Sequence, residues 1–319
     1  MSERSVILLN LGGPDTLKAV KPFLYNLFSD REIIRLGPAF LQRPLACLIA
    51  AIRAPKTRRA YSLIGGGSPI LRITREQAHC LKRVLQPHGE FDVLVGMKYW
   101  HPYIRDALKE AAEKGAEMII GLSLYPQYSR ATTGSTKKDF DEEIRKYRIP
   151  IVRFIDSWYS NPLYIQAIKE LVLKKLESTG IKDTHLLFSA HSLPVSFLEE
   201  GDPYEREIKG TVEAILSALR DAAHELPPHS IGYQSRTGPV RWLGPSTDEE
   251  IRRLAGKGVK RVIVVPVSFV SDHIETLYEI DILYRGLAER LGMVLERVDS
   301  LNTHPTFINA LKEIVLKAI

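Results

Sequence analysis

Cysteine is scarce in this chain: Cys47 and Cys80 are the only two among 319 residues, and they form no C-x-x-C pair. A zinc ribbon and a disulfide framework are both excluded, and cytosolic conditions are expected. Long apolar runs are also missing. The stretch from Ser5 to Leu9 is too short for a signal-peptide core or a membrane span, so a soluble intracellular protein is expected. Neither sign of charge dominates, since 44 Lys+Arg against 38 Asp+Glu leaves +6. No basic block or Arg-rich arm points to nucleic acid, and the mild excess suits anionic small molecules or an acidic membrane surface. Nucleotide and zincin signatures are absent too. Leu11-Gly12-Gly13-Pro14 is not G-x-G-x-x-G, Gly65-Gly66-Gly67-Ser68 does not continue as a phosphate loop, and no H-E-x-x-H occurs. What remains is globular composition, 45% hydrophobic and 26% charged, with a length that favours two domains.

The chain is similar to itself. Shifted so that Pro102 meets Pro245, it also aligns Lys114-Gly115 with Lys257-Gly258, Asp156-Ser157 with Asp299-Ser300, and Pro162 with Pro305. Ile165, Ala167 and Lys169 then meet Ile308, Ala310 and Lys312. Such an offset implies two copies of one structural unit. Short apolar runs predict strands near 5–10, 92–97, 118–124 and 151–154, then 185–190, 230–234, 261–267 and 294–298. Runs such as Met118-Ile119-Ile120 and Val262-Ile263-Val264-Val265 suit strands buried on both faces. Helix-period segments lie between them, and Asp248-Glu249-Glu250 gives one an acidic first turn that complements the helix dipole. The expected fold is α/β, two Rossmann-like halves each with a four-stranded parallel sheet flanked by helices, divided as 1–178 and 179–319 with a cleft between them.

The first half carries an insertion at about 36–70. Its apolar residues Phe40, Leu41, Leu45, Leu48, Ile49 and Ile52 are followed by Arg53, Lys56, Arg58 and Arg59. Two readings stand: a buried helix with a polar exit, or an apolar lip over a ligand site that rests on a membrane surface.

Ligands of open α/β sheets bind beyond the carboxyl ends of the strands. Three polar clusters fall there: 189–194 around His191, 268–279 with Asp272, His273, Glu275 and Glu279, and 125–129 beginning with Tyr125. If 272–285 is helical, Glu275 and Glu279 share a face and repel, a cost better explained if a cation or proton passes between them. Both carboxylates pointing into solvent, and His191 capping a turn, are the bland alternatives.

Leu187-Phe188-Ser189-Ala190-His191-Ser192-Leu193-Pro194, followed by Glu200-Gly201-Asp202-Pro203-Tyr204, resembles the motif of the ferrochelatase family, which inserts ferrous iron into a porphyrin. Leu9 to Pro14, Ile64 to Ile70, Tyr125 to Ser129, Tyr233 to Arg236, Trp242 to Pro245 and Ser271 to Glu279 are similar to that family as well. The resemblance covers the whole chain. It implies that His191 and Glu275 form the catalytic and metal-handling pair, with Asp272, His273 and Glu279 as supporting polar groups. It further implies porphyrin contacts from Leu11, Arg53, Tyr61, Ser68, Lys98, Tyr99 and Tyr125. The substrates implied are protoporphyrin IX, chosen over coproporphyrin by the apolar Leu11, and Fe²⁺, with haem b as product. No permanent cofactor is implied.

Several positions depart from the family pattern. Lys98 stands where many members have Arg, turning a bidentate contact into a point charge. Ala54 occupies a propionate-arginine site, Leu283 replaces a further carboxylate, and Arg130 replaces a cluster cysteine, so no iron–sulfur cluster is expected. Peripheral contact with the inner face of the cell membrane is expected, and no nucleic acid. A chelatase for another tetrapyrrole or metal, or a non-catalytic porphyrin or haem carrier, is the alternative. Neutral His191 could accept a pyrrole proton or ligate the metal, and both roles stay open.

Overall fold

A computed structural model describes residues 3–222, 225–236, 238 and 240–319. The eight expected strands all form: β1 (Arg4–Asn10), β2 (Phe91–Met97), β3 (Met118–Ser123), β4 (Ile151–Ile155), β5 (Thr184–His191), β6 (His229–Gln234), β7 (Arg261–Pro266) and β8 (Val294–Arg297). They make two four-stranded sheets in the orders β2-β1-β3-β4 and β6-β5-β7-β8. Every pairing is parallel. The two orders are the same permutation, which is the self-similarity of the sequence expressed as topology. Central strands are buried throughout, as in β3 and in all of β1 after Arg4, because helices cover both faces.

The chain divides into two compact units, Met1–Trp158 with Leu311–Ile319, and Tyr159–Ala310. The first has a core of Ile7, Leu9, Ile104, Leu108, Ile119 and Phe140, and the second one of Leu187, Ile251, Val262, Val264, Ile280 and Leu295. The helix Pro162–Thr179 goes with the second unit, where it packs on the helix Tyr204–Arg220. Asn161 caps it by accepting from the Leu163 and Tyr164 amides at 3.0 and 3.1 Å, with Pro162 in the first turn, where no amide donor is needed. The acidic first turn read from the sequence belongs to the helix Thr247–Gly256. Ser246 and Glu249 form a capping box there, the Glu249 carboxylate accepting from the Ser246 amide at 2.8 Å.

The insertion forms a 21-residue helix, Gln42–Ser62. Its packing inverts the usual arrangement. Gln42, Ala46, Ala50 and Ala54 are buried, facing the helix Val20–Ser29, while Leu48 and Ile52 face outward and Ile52 is 68% exposed. Alanine at every fourth position lets the two helix backbones approach closely, and that leaves the bulky side chains nowhere to go but out. Phe40, just before the helix, is 77% exposed. Gln42 roots the segment, its amide donating to Phe28 O at 2.8 Å and Ile34 O at 2.9 Å. The buried-helix reading therefore fails for Phe40, Leu41, Leu48 and Ile52, while Leu45 and Ile49 are half-buried and Ala46, Ala50 and Ala54 are buried. No helix among the described residues is long and apolar enough to cross a membrane.

Candidate functional site

His191 is the last residue of β5, and Glu275 opens a π-helix, Glu275–Tyr284, that follows the loop after β7. Both therefore arise at carboxyl ends of central strands in one sheet, where open α/β sheets place ligands. The His191 imidazole Nδ1 lies 2.9 Å from Glu275 Oε2. The imidazole remains 32% exposed and the carboxylate 15%. Burial works against an imidazolium, but the Glu275 charge and hydrogen bond outweigh it and raise the His191 pKa above its ordinary value. Burial alone would also raise Glu275, yet His191 holds its carboxyl well below the usual range.

Glu279 lies behind this pair. In a π-helix the bonds run i→i+5, so a residue four positions on falls just short of one turn and projects to the same side. The solvent-pointing reading of Glu275 and Glu279 fails: both meet the end of β6. Ser235 Oγ is 2.9 Å from Glu275 Oε2 and 2.6 Å from Glu279 Oε2. One hydroxyl has one hydrogen and can donate to only one of them. Of the two carboxyls Glu279 is the one that holds a proton more readily, because burial and the neighbouring Glu275 charge push its pKa up to about 7. Ser235 holds φ at 69°, a left-handed conformation unusual for a residue with a side chain.

Gln234 fixes the geometry from below. Its Oε1 accepts from Ser189 Oγ at 2.6 Å, so its amide nitrogen must face the other way. There it donates to the Glu275 carbonyl at 3.0 Å and to Glu279 Oε2 at 3.3 Å.

Asp272 has a different task from Glu275. It accepts from Ser300 at 2.7 Å, Asn302 at 2.8 Å and Thr276 at 3.1 Å, and pairs with Arg297 at 3.1 Å. Burial would raise its pKa, but Arg297 and these donors lower it. The same guanidinium grips Asp281 at 2.8 Å, so Arg297, closing β8, ties both ends of the acidic segment to the sheet. His273 is buried and its pKa is lowered by burial. As a neutral ring it donates from Nδ1 to the Ser271 carbonyl at 3.0 Å. The Phe269 ring lies edge-on to both His273 and His191, with centroids 4.4 and 6.2 Å away.

In the other unit, Leu11, Lys98-Tyr99 and Tyr125 follow the carboxyl ends of β1, β2 and β3. The Tyr99 amide donates to the Leu11 carbonyl at 3.0 Å, so these two loops are one surface. Ser68 joins it, its amide donating to the Pro14 carbonyl at 2.7 Å. A Cβ on Gly13 would sit 2.6 Å from Ser68 Cβ, and one on Gly67 would collide with the Asp15 carbonyl. Gly67 thus serves close backbone packing, while Gly65 and Gly66 supply left-handed turns at φ 103° and 90°.

Lys98 does not project as a free cation. Its Nζ is buried, bonded to Asp139 Oδ2 at 2.6 Å and the Ser135 carbonyl at 3.0 Å, and 3.2 Å from Asp30 Oδ2. Tyr99 donates to the same Asp30 oxygen at 2.6 Å, and Ser135 at 2.9 Å. Tyr61 is buried, whereas Arg53 is exposed with its guanidinium 5.5 Å from the centre of the Phe28 ring.

Sequence reasoning missed Gln234, Ser235, Asp30 and Asp139 as individual participants. The first two lay inside a quoted motif, so a signal existed. Asp30 and Asp139 gave none, because their partners Tyr99 and Lys98 are 69 and 41 positions away.

A sequence model described as ferrochelatase matches residues 3–319. The chain belongs to the ferrochelatase family. A ferrochelatase of Desulfotalea psychrophila is 48% identical over 98% of this chain and 96% of its own length. One from Gloeobacter violaceus is 46% identical over 99% and 98%. Among solved structures, CbiX, the terminal enzyme for siroheme biosynthesis in denitrifying bacteria, superposes with a TM-score of 0.53 at 14% identity, covering 99% of both chains. SirB from Bacillus subtilis with Fe³⁺ gives 0.54 at 14% identity, over 77% of this chain and 89% of that one. At such identity these two speak for the fold alone, which is the expected doubly wound one.

Proposed function

We propose that the protein inserts Fe²⁺ into protoporphyrin IX, forming haem b and releasing two protons, with His191 and Glu275 as the reacting pair. The observation that carries this reading is the 2.9 Å contact between His191 Nδ1 and Glu275 Oε2 at the strand ends, in a chain of the ferrochelatase family. Metallation must remove two pyrrole protons and strip water from the metal. With Nδ1–H donating to Glu275, the His191 Nε2 lone pair is the one left for a pyrrole proton or for the incoming metal. When His191 takes a proton, the imidazolium forms against a carboxylate already ionised, so its charge is met in place without rearrangement. A proton leaving His191 passes to the Glu275 carboxylate, and Glu279, linked to it through the Ser235 hydroxyl, takes the proton on only once its own has gone to solvent.

Leu11, Ser68, Tyr99 and Tyr125 are proposed to contact the porphyrin, with Arg53 and Tyr61 from the lip helix. The apolar Leu11 is in keeping with protoporphyrin. Lys98 acts through Tyr99, in keeping with its buried ion pairs. The exposed Phe40, Leu48 and Ile52, beside Arg53, Lys56, Arg58 and Arg59, support peripheral contact with an anionic membrane surface. No resident cofactor or iron–sulfur cluster is part of this reading.

The test is anaerobic incubation of protein, protoporphyrin IX and Fe²⁺ with haem read as the pyridine complex. Catalytic accumulation of haem beyond one equivalent supports the proposal. One bound equivalent of metal-free porphyrin with no turnover contradicts it and indicates a carrier.

A further inference from the structure

The strand that presents His191 runs past the end of its own ladder. On the β7 side the last strand pairing joins Ser189 to Pro266, and the Val267 amide donates to the Ser189 carbonyl at 3.0 Å. Two residues later, the His191 N–H and C=O point to that same side, since alternate residues in a strand share a hydrogen-bonding direction. The β7 chain has already turned away there. Two buried backbone groups beside the reacting imidazole would be left without partners, which is costly.

Two hydroxyls take the place of the missing strand. The His191 N–H donates to Ser268 Oγ at 3.0 Å, and Tyr204 Oη donates to the His191 carbonyl at 3.0 Å. Each of the two His191 backbone groups therefore has a side-chain hydroxyl as its partner. Burial pushes the Tyr204 phenol pKa up, so it keeps its proton and stays a donor. Tyr204 itself begins the helix Tyr204–Arg220, with its amide capped by Asp202 Oδ1 at 3.0 Å. The Asp202-Pro203-Tyr204 segment thereby gains a purpose: it delivers one hydroxyl to one carbonyl.

We infer that Tyr204 and Ser268 are positioning residues for His191, holding its carbonyl and its N–H so that the end of β5 stays fixed and the imidazole stays against Glu275. Neither touches the reacting atoms. Misplacing a catalytic group by about 1 Å costs up to roughly 100-fold in rate, and these two hydroxyls fix both backbone polar groups of the residue that matters most. The inference rests on His191 being the reacting histidine.

The experiment uses the full chain with Tyr204→Phe, Ser268→Ala, Ser268→Thr, the Tyr204→Phe/Ser268→Ala pair, and His191→Ala, assayed for iron insertion alongside thermal unfolding. The expected result for Tyr204→Phe and Ser268→Ala is a kcat lowered about tenfold with the porphyrin KM within about twofold of wild type. Ser268→Thr keeps the hydroxyl and restores most of the rate. The double variant loses less than the two single losses added, because both hydroxyls hold the same residue; independent structural roles would instead add the two losses. Wild-type kcat in both singles overturns the inference, as does additive loss in the double variant. An active His191→Ala protein overturns instead the underlying assignment of His191, so the two failures are distinguishable.

Discussion

Glu275 and Glu279 both bring their Oε2 atoms to a single hydroxyl, that of Ser235, at 2.9 and 2.6 Å. Two carboxyls of different proton affinity are thereby held on adjacent turns of one helix, distinguished by their surroundings: His191 holds Glu275 ionised, and burial beside Glu275 pushes Glu279 up to about 7. Separating the pKa values of neighbouring carboxyls assigns them different tasks.

Glu275→Gln is expected to lower kcat by about 100-fold or more, because it removes the charge that meets the imidazolium. Glu279→Gln keeps a neutral hydrogen-bonding group in place of the more readily protonated carboxyl, so a loss of about tenfold or less is expected. Steady-state kinetics of the two variants check the ranking. Equal losses would mean that the carboxyls act as one unit.

Lys98→Met leaves Asp30 and Asp139 facing each other without their shared cation. Removing one partner of a buried ion pair costs about 3–5 kcal/mol, and the lower end applies here because the Asp139 side chain is 45% exposed. Urea unfolding measures it. A variant of unchanged stability but raised porphyrin KM would show that Lys98 faces the ligand after all.

His185 gives the second unit a defined acid sensitivity. It is buried, with Nε2 2.8 Å from Ser230 Oγ, and burial lowers its pKa to about 4 from 6.5. Its folded value lies below its unfolded one, so between pH 6.5 and about 4 the unfolded chain binds more protons. Stability contributed by neutral His185 is therefore complete above pH 6.5 and is lost as pH falls towards 4. His185→Gln should flatten the stability–pH slope in that window, measured by urea unfolding at several pH values. An unchanged slope would assign the acid sensitivity elsewhere.

The lip helix predicts two opposite outcomes on its two faces. Phe40→Asp, at an exposed position, should leave unfolding unchanged within about 0.5 kcal/mol while reducing co-sedimentation with anionic vesicles. Ala50→Leu, on the buried face against Val20–Ser29, should cost about 1–3 kcal/mol through overpacking. Equal vesicle binding by wild type and Phe40→Asp would remove the lip from any membrane role.

Much of the fold was readable because its signals are local. Met118–Ser123 and Arg261–Pro266 are strands that need apolar residues on both faces, and Ser246 with Glu249 is a helix start written in four residues. His191 and Glu275 were readable because motif residues sit where strands end. What lay hidden depends on partners far along the chain. The sequence of 42–62 shows apolar residues but not that alanines face inward, since that follows from the helix Val20–Ser29 beside it. Lys98 reads as a surface cation until Asp30 and Asp139 are folded against it. Ser235 reads as a loop serine until two carboxylates from the π-helix converge on its hydroxyl.

The most direct test of the account is the visible spectrum of protoporphyrin IX incubated anaerobically with Fe²⁺ and either the wild-type protein or His191→Ala. Collapse of the free-base bands with wild type, and their persistence with His191→Ala, is the result expected of a chelatase centred on His191. Near-wild-type metallation by His191→Ala would contradict it.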